Sequence, residues 1–426
     1  MCSFICTTKE FNELTNLKSA YRGPDHSEKC SVNGFNIIHN LLDISQHNLV
    51  QPVIDGDIIL LYNGEIYDPG DPCDTNLIIP LYKKYGHSFV EHLNGEYAIA
   101  IIDKQNVFLY ADVFATKPLF YSINGDDIGI ASYASELVNL KFTNIIRVES
   151  STYIQIKLSD FSITKFKHNS FDLTEYKTSY DDCILALENA CNLRCNDKAA
   201  VGLSSGHDSG SILQWCLDNT TNNKFYYIHT GEEDADVMEH RLNLCDCNNI
   251  LHKTINYYDN CAVYDYYEKH ILSNKMEEYE YYLSVDGRST LMLSKMLRTA
   301  KRHGYNIYIA GQGVDEIISN YEDPGDPPFF TNLQLQFPWK NFFNGLNREF
   351  IDQYEYIGGA YGVEVRYPFL DKVFIQEFLH LTKEMKNKFY KSVVTEYLNR
   401  NNMPAKNTKV GLNIYNANWL KQVSTS

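Results

Sequence analysis

Apolar residues in the first 160 positions fall in short runs separated by Gly, Asp, Asn and Pro, the punctuation of a sheet-rich segment. Phe35–His39 and Ile58–Leu61 read as strands, and a helix follows over Asn76–Tyr85. Tyr97–Ile102 and Val107–Tyr110 predict a hairpin around Asp103–Asn106, and Ser151–Leu158 one more strand. Past Asp172 the rhythm changes. Tyr180–Cys195 predicts a helix, Ala199–Leu203 a buried strand, and Gly210–Cys216 the start of another helix. Phe225–His229 reads as a strand, Leu291–His303 as a long helix and Asn306–Ala310 as a strand. Such alternation implies a mostly parallel sheet with helices on both faces. Glu322–Phe330, with three prolines, reads as a loop, and helices dominate over Asn341–Arg400. Two domains are expected, 2–165 and 175–426.

Composition narrows the class. A chain of 426 residues with 44% hydrophobic and 22% charged residues is folded rather than disordered. Its net charge of −16 argues against nucleic acid or an anionic membrane as partner. No apolar run reaches membrane-spanning length, and Met1–Cys2–Ser3 opens no signal peptide, so a cytoplasmic protein is expected. The 11 cysteines include no C-x-x-C pair, so most should be buried or incidental thiols.

Cys2 differs by position. Removal of Met1 would leave a thiol beside a free α-amine, which can take the thiol proton without a histidine. Asn63–Gly64–Glu65 follows the strand Ile58–Leu61, and an Asn amide with a Gly N–H can hold a tetrahedral oxyanion. Taken singly, an incidental thiol and an Asn-Gly turn are the plainer readings. Farther on, the strand Ala199–Leu203 runs into Ser204–Ser205–Gly206–His207–Asp208–Ser209, a compact nest of N–H groups before a helix and not a Walker A loop. A serine-rich helix cap is the plain reading there. Ile309–Ala310–Gly311–Gln312–Gly313–Val314–Asp315–Glu316 follows a strand in the same manner.

Together these segments resemble a known family. Residues 1–140 are similar to the glutamine-hydrolysing domain of class II amidotransferases, through Cys2, Tyr21–Asp25, Gln51–Pro52, Asn63–Tyr67, Asp74–Thr75, Asn94–Ala98, Lys117–Tyr121 and Ala134–Glu136. Residues 180–415 resemble the synthetase domain of asparagine synthetases, through 204–209, 311–316, Gly362–Asp371 and Thr408–Leu412. The resemblance implies an α/β protein: an N-terminal nucleophile-type α/β/β/α sandwich, then an α/β nucleotide-binding domain with a mostly parallel sheet. It implies Cys2 as nucleophile, Asn63 and Gly64 as oxyanion hole, and Glu65 and Asp74 as glutamine-binding. ATP would lie against Leu203, Ser204, Ser205, Gly206, His207, Asp208, Ser209, Ile228, Gly311 and Gln312. Asp208 and Asp315 would hold Mg2+, and Lys409 would steady negative charge on the phosphates or adenylate. Lys388 and Lys391 read as solvated helix residues.

Three positions depart from the family pattern. Leu41, in His39–Asn40–Leu41–Leu42, stands where family members carry the Arg that grips the glutamine α-carboxylate, and no arginine occurs from 23 to 146. Gln312 replaces a Glu near the reacting carboxyl, and Ser205 replaces a Gly. The expected chemistry is ATP-dependent amide formation through an acyl-adenylate, with nitrogen from glutamine or ammonia and aspartate as the default acceptor. Action on another carboxylate or with another amine, and a weakly active binding protein retaining the fold, stay open. So does a homodimer.

Overall fold

The computed structural model describes residues 2–10, 18–44, 49–67, 73–195, 198–219, 225–229, 234–255, 287–319 and 330–405. Two six-stranded antiparallel sheets build the first half. One runs in the order Ile146–Arg147, Phe120–Asn124, Asp127–Ala131, Ser3–Thr7, Phe35–Leu41, His26–Val32. The other runs Ile163–Lys167, Thr152–Lys157, Asn106–Ala111, Gly95–Asp103, Ile58–Ile66, Val53–Asp55. Side chains alternate across each strand, so each sheet has two faces to cover. Phe4, Cys6, Phe35 and Ile37 meet Ile59, Leu61, Ala98 and Leu109 between the sheets. The opposite face of the second sheet, with Leu60, Tyr62 and Ile99, packs under the helix Thr75–Tyr85 through Ile78, Ile79 and Tyr82. Ile5, Ile38 and Ala131 cover the other outer face with Leu137 of the helix Ala134–Asn139. This is the expected four-layer α/β/β/α sandwich. Burial on both faces explains why its central strands read as continuous apolar runs.

Five strands form the second half's sheet, in the order Leu251–Thr254, Phe225–His229, Ala199–Gly202, Ile307–Ile309, Glu364–Arg366, and every pair is parallel. The chain adds strands on one side of Ala199–Gly202 and then on the other. A crevice therefore opens at the carboxyl ends of Ala199–Gly202 and Ile307–Ile309, the position where such sheets take ligands. The helix after Ala199–Gly202 is His207–Asn219, beginning at His207 rather than Gly210, so Asp208 and Ser209 belong to its first turn. The edge strand Glu364–Arg366 is an element the sequence pattern did not suggest. Most of the predicted loop over 322–330 lies outside the described residues.

Buried polar joints tie the halves together. Arg194, 1% exposed, donates to Glu96 Oε1 at 2.7 Å and Asp371 Oδ2 at 2.9 Å, and Asn94 Nδ2 joins Asp371 at 3.1 Å. The largest apolar cluster also crosses the boundary, taking Val113, Phe114 and Tyr133 into the second half's core. Of the described cysteines, eight are buried, as expected of most of them, and none is disulfide-bonded.

Candidate functional site

Cys2 heads the strand Ser3–Thr7 and is buried. Its main chain is held at both ends: the N–H donates to Asn63 Oδ1 at 2.9 Å, and the carbonyl accepts from Arg22 Nε at 2.9 Å. With Oδ1 committed, Asn63 Nδ2 is buried without a partner among the described residues, a donor beside Cys2. Gly64 follows in the same strand. A Cβ there would stand 2.2 Å from the Glu96 carbonyl oxygen, so only glycine lets the two strands pass this closely. Burial pushes the Cys2 thiol up, and the Leu42 backbone N–H works against that.

The expected substrate-holding acids lie alongside. Asp74 accepts from the Tyr62 hydroxyl and from Ile66 N (2.9 Å), and Glu65 Oε2 is 3.5 Å from Arg366 Nη2. Burial raises both carboxyls. Leu41 comes level with Cys2 one step before the Ser3–Asn40 pair, and its side chain is buried. Although no arginine lies nearby in sequence, the fold delivers Arg366 to Glu65 from the second half.

At the crevice, Ser204 N donates to Ser209 Oγ (3.1 Å), Gly206 N donates to Ser204 Oγ (3.2 Å), and Leu203 N donates to Ile228 O (2.8 Å). These bonds close the loop over the helix N-terminus. The loop after Ile307–Ile309 approaches so closely that a Cβ on Gly311 would stand 3.0 Å from Asp208 Cβ. Asp208 and Asp315 then converge on one cation. Lys391 Nζ lies 2.7 and 2.8 Å from the two Asp208 oxygens and 2.9 Å from Asp315 Oδ1. This corrects the reading of Lys391 as a solvated helix residue. It precedes the helix Ser392–Arg400 with φ 51°, is 5% exposed, and points into the crevice, whereas Lys388 is exposed. Burial works against its charge, but Asp208 and Asp315 outweigh that and raise the ammonium. Gln312 Nε2 donates to Glu316 Oε2 at 2.7 Å and faces Asn347 Oδ1 at 3.4 Å. Lys409 lies outside the described residues. No cage of three or more His, Cys, Asp or Glu forms among the described residues.

Comparison with known proteins agrees with both halves. The glutamine amidotransferase domain model matches residues 1–172. The bovine (Bos taurus) asparagine synthetase (glutamine-hydrolyzing) is 25% identical over 452 aligned positions, covering 92% of this chain and 78% of its own. The human (Homo sapiens) asparagine synthetase (glutamine-hydrolyzing) is 24% identical over 450 positions, covering 92% and 78%. Asparagine synthetase (glutamine-hydrolyzing) 2 of Bacillus subtilis is 36% identical over a shorter stretch of 121 positions, 24% of this chain and 16% of its own. Along most of its length this chain is similar to glutamine-hydrolyzing asparagine synthetases. Among its described residues no helix is long and apolar enough to cross a membrane.

Two supports of the crevice went unread in the sequence. Lys391 carries no local motif; its role appears only when segments 183 positions apart meet. Arg241 is fully buried and donates to the carbonyls of Ser204, Gly206 (2.9 Å) and Pro404 (2.7 Å), stapling the serine loop to the last described segment. Gly210 is the one faint signal, since a Cβ there would strike Arg241 Nη2 at 2.2 Å.

Proposed function

We propose that this chain is an ATP-dependent, glutamine-using amide synthetase. What carries the reading is the convergence of Asp208 and Asp315, from loops after adjacent parallel strands, on the single buried ammonium of Lys391. Asp208 and Asp315 are hard oxygen donors and would hold Mg2+ there once Lys391 Nζ turns from them toward the phosphates. That ion would neutralise phosphate charge. Lys391, with Lys409, would hold the pyrophosphate as it leaves, while the Ser204–Ser209 loop presents N–H groups to the phosphates.

The chemistry then runs in two centres. Cys2 Sγ attacks the side-chain amide carbon of glutamine, and Asn63 Nδ2 with Gly64 N–H receive the oxyanion. Ammonia departs, and water cleaves the thioester to glutamate. Glu65 and Asp74 hold the substrate. In the crevice, a carboxylate oxygen attacks the α-phosphorus of ATP and pyrophosphate leaves. Ammonia then displaces AMP from the acyl-adenylate, forming the amide. Aspartate is the default acceptor. Gln312, neutral and bonded to Glu316, is the observation that favours testing other carboxylates as well.

A mass-resolved product assay decides it: ATP and 15N-ammonium with a panel of carboxylates, following AMP, pyrophosphate and labelled amide. Asp208→Asn and Asp315→Asn should each lose AMP and pyrophosphate formation at least a hundredfold, with glutamine hydrolysis retained. Full turnover in both variants would sink the metal assignment.

A further inference from the structure

The least economical feature of the interior lies behind Cys2. Arg22, Lys117 and Glu355, all with fully buried side chains, form one ion cluster. Glu355 Oε1 accepts from Lys117 Nζ at 2.7 Å and the Tyr367 hydroxyl at 2.9 Å, while Oε2 accepts from Arg22 Nη2. Burial alone would neutralise the Glu355 carboxyl, yet Lys117 and Arg22 hold it below the usual carboxylate range. Arg22 Nη1 also donates to the Glu355 carbonyl (2.9 Å) and the Tyr133 hydroxyl (3.2 Å). That leaves Nε, which is fixed on the Cys2 carbonyl.

Apolar packing could join the two halves at less cost than three desolvated charges. What the cluster adds is direction, because a guanidinium held at both Nη atoms has one pose left for Nε. Gly359, one turn beyond Glu355 on the helix Gly345–Tyr361, keeps this space open; a Cβ would lie 2.2 Å from the Tyr133 hydroxyl and 3.0 Å from Arg22 Nη1. The same helix carries Asn347, which faces Gln312 in the crevice.

We propose that Glu355 is a positioning residue for the Cys2 nucleophile, acting through Arg22 from the synthetase half of the chain. This rests on the glutamine-hydrolysing reading above. Glu355 touches neither substrate nor thiol, so its effect falls on the attack geometry and not on glutamine affinity.

The test uses the full chain with Glu355→Gln, which keeps shape and removes charge, and Tyr133→Phe, which removes only one hydroxyl from Arg22. Wild type is first assayed for glutamine hydrolysis; its absence would overturn the proposed function and this inference with it. Given activity, Glu355→Gln should lower kcat for glutamine at least tenfold with KM within twofold, and ammonium-dependent synthesis should stay within twofold. Tyr133→Phe should lower the same kcat about three- to fivefold. Glu355→Asp should recover part of the loss. If Glu355→Gln does not fold, Tyr133→Phe decides alone. Unchanged kcat in the variants, or loss shared equally by both activities, overturns the positioning role while leaving the proposed function standing.

Discussion

Replacing Lys391 by Met keeps the length of the side chain and deletes the charge between Asp208 and Asp315. Both carboxylates contact Nζ within 3 Å, so their nearest oxygens are on the order of 5 Å apart. At an effective dielectric of about 20, two like charges at that distance repel by roughly 3 kcal/mol. Side-chain exposures of 23% and 16% admit some water, so about 2 kcal/mol is the working figure. That repulsion raises one carboxyl of the pair above the ordinary carboxylate range. The sign follows from linkage. With its folded-state value raised, the folded variant binds more protons than the unfolded chain once pH passes the ordinary aspartate value of about 4, so its stability falls as pH rises from there until that carboxyl is ionised. Wild type has no such penalty, because its raised lysine keeps its charge well past neutrality. Urea unfolding of both proteins at pH 4.5 and pH 8 reads the difference directly: the variant's deficit should be roughly 1 kcal/mol larger at pH 8, because part of the repulsion is already present at pH 4.5. A deficit independent of pH would mean that Lys391 serves as packing and that the two acids do not face each other.

Other expectations are briefer. Leu41→Arg should lower KM for glutamine by roughly tenfold or more by supplying a charge-assisted fork to the α-carboxylate; efficient glutamine use by wild type, unimproved by the change, would point to another partner such as Arg366. Arg241→Met should destabilise the second half by roughly 2–3 kcal/mol, since the Ser204, Gly206 and Pro404 carbonyls lose a fully buried charged donor, and a denaturation midpoint within error of wild type would refute the staple. Intact-mass measurement of active protein should find Met1 removed; retention of Met1 in a glutamine-using enzyme would rule out the Cys2 amine as base.

Much of the architecture was legible because it is written in local period. Phe225–His229 appears as read, and Tyr97–Ile102 and Val107–Tyr110 form the expected hairpin, extended to Gly95–Asp103 and Asn106–Ala111. Glu364–Arg366 was missed because three residues are too few for a period, and its strand identity comes from pairing with Ile307–Ile309. The motif residues Asn63, Asp208 and Gly311 were readable because each comes within a few positions of an apolar run, where small or polar residues stand out. Arg22 was visible only as part of a motif, and Glu355 and Lys391 not at all, because a buried charge is defined by its partner. No windowed reading of a helix reports a carboxylate 333 positions from its arginine.

The Arg194 joint has a consequence for how the protein is made. Asn94 and Asp371 stand 277 positions apart, a stretch that a ribosome takes roughly 14–55 s to add. The first half is completed partway through that interval, and Glu96 then waits for the Arg194–Asp371 pair that closes over it. Ribosome-bound chains halted before Asp371 should therefore be cut by protease in the Asn94–Tyr97 region, which full-length protein resists. The seam between the two halves is thus completed only by the last third of the chain, so the first half is made and folds ahead of the contacts that hold it in place.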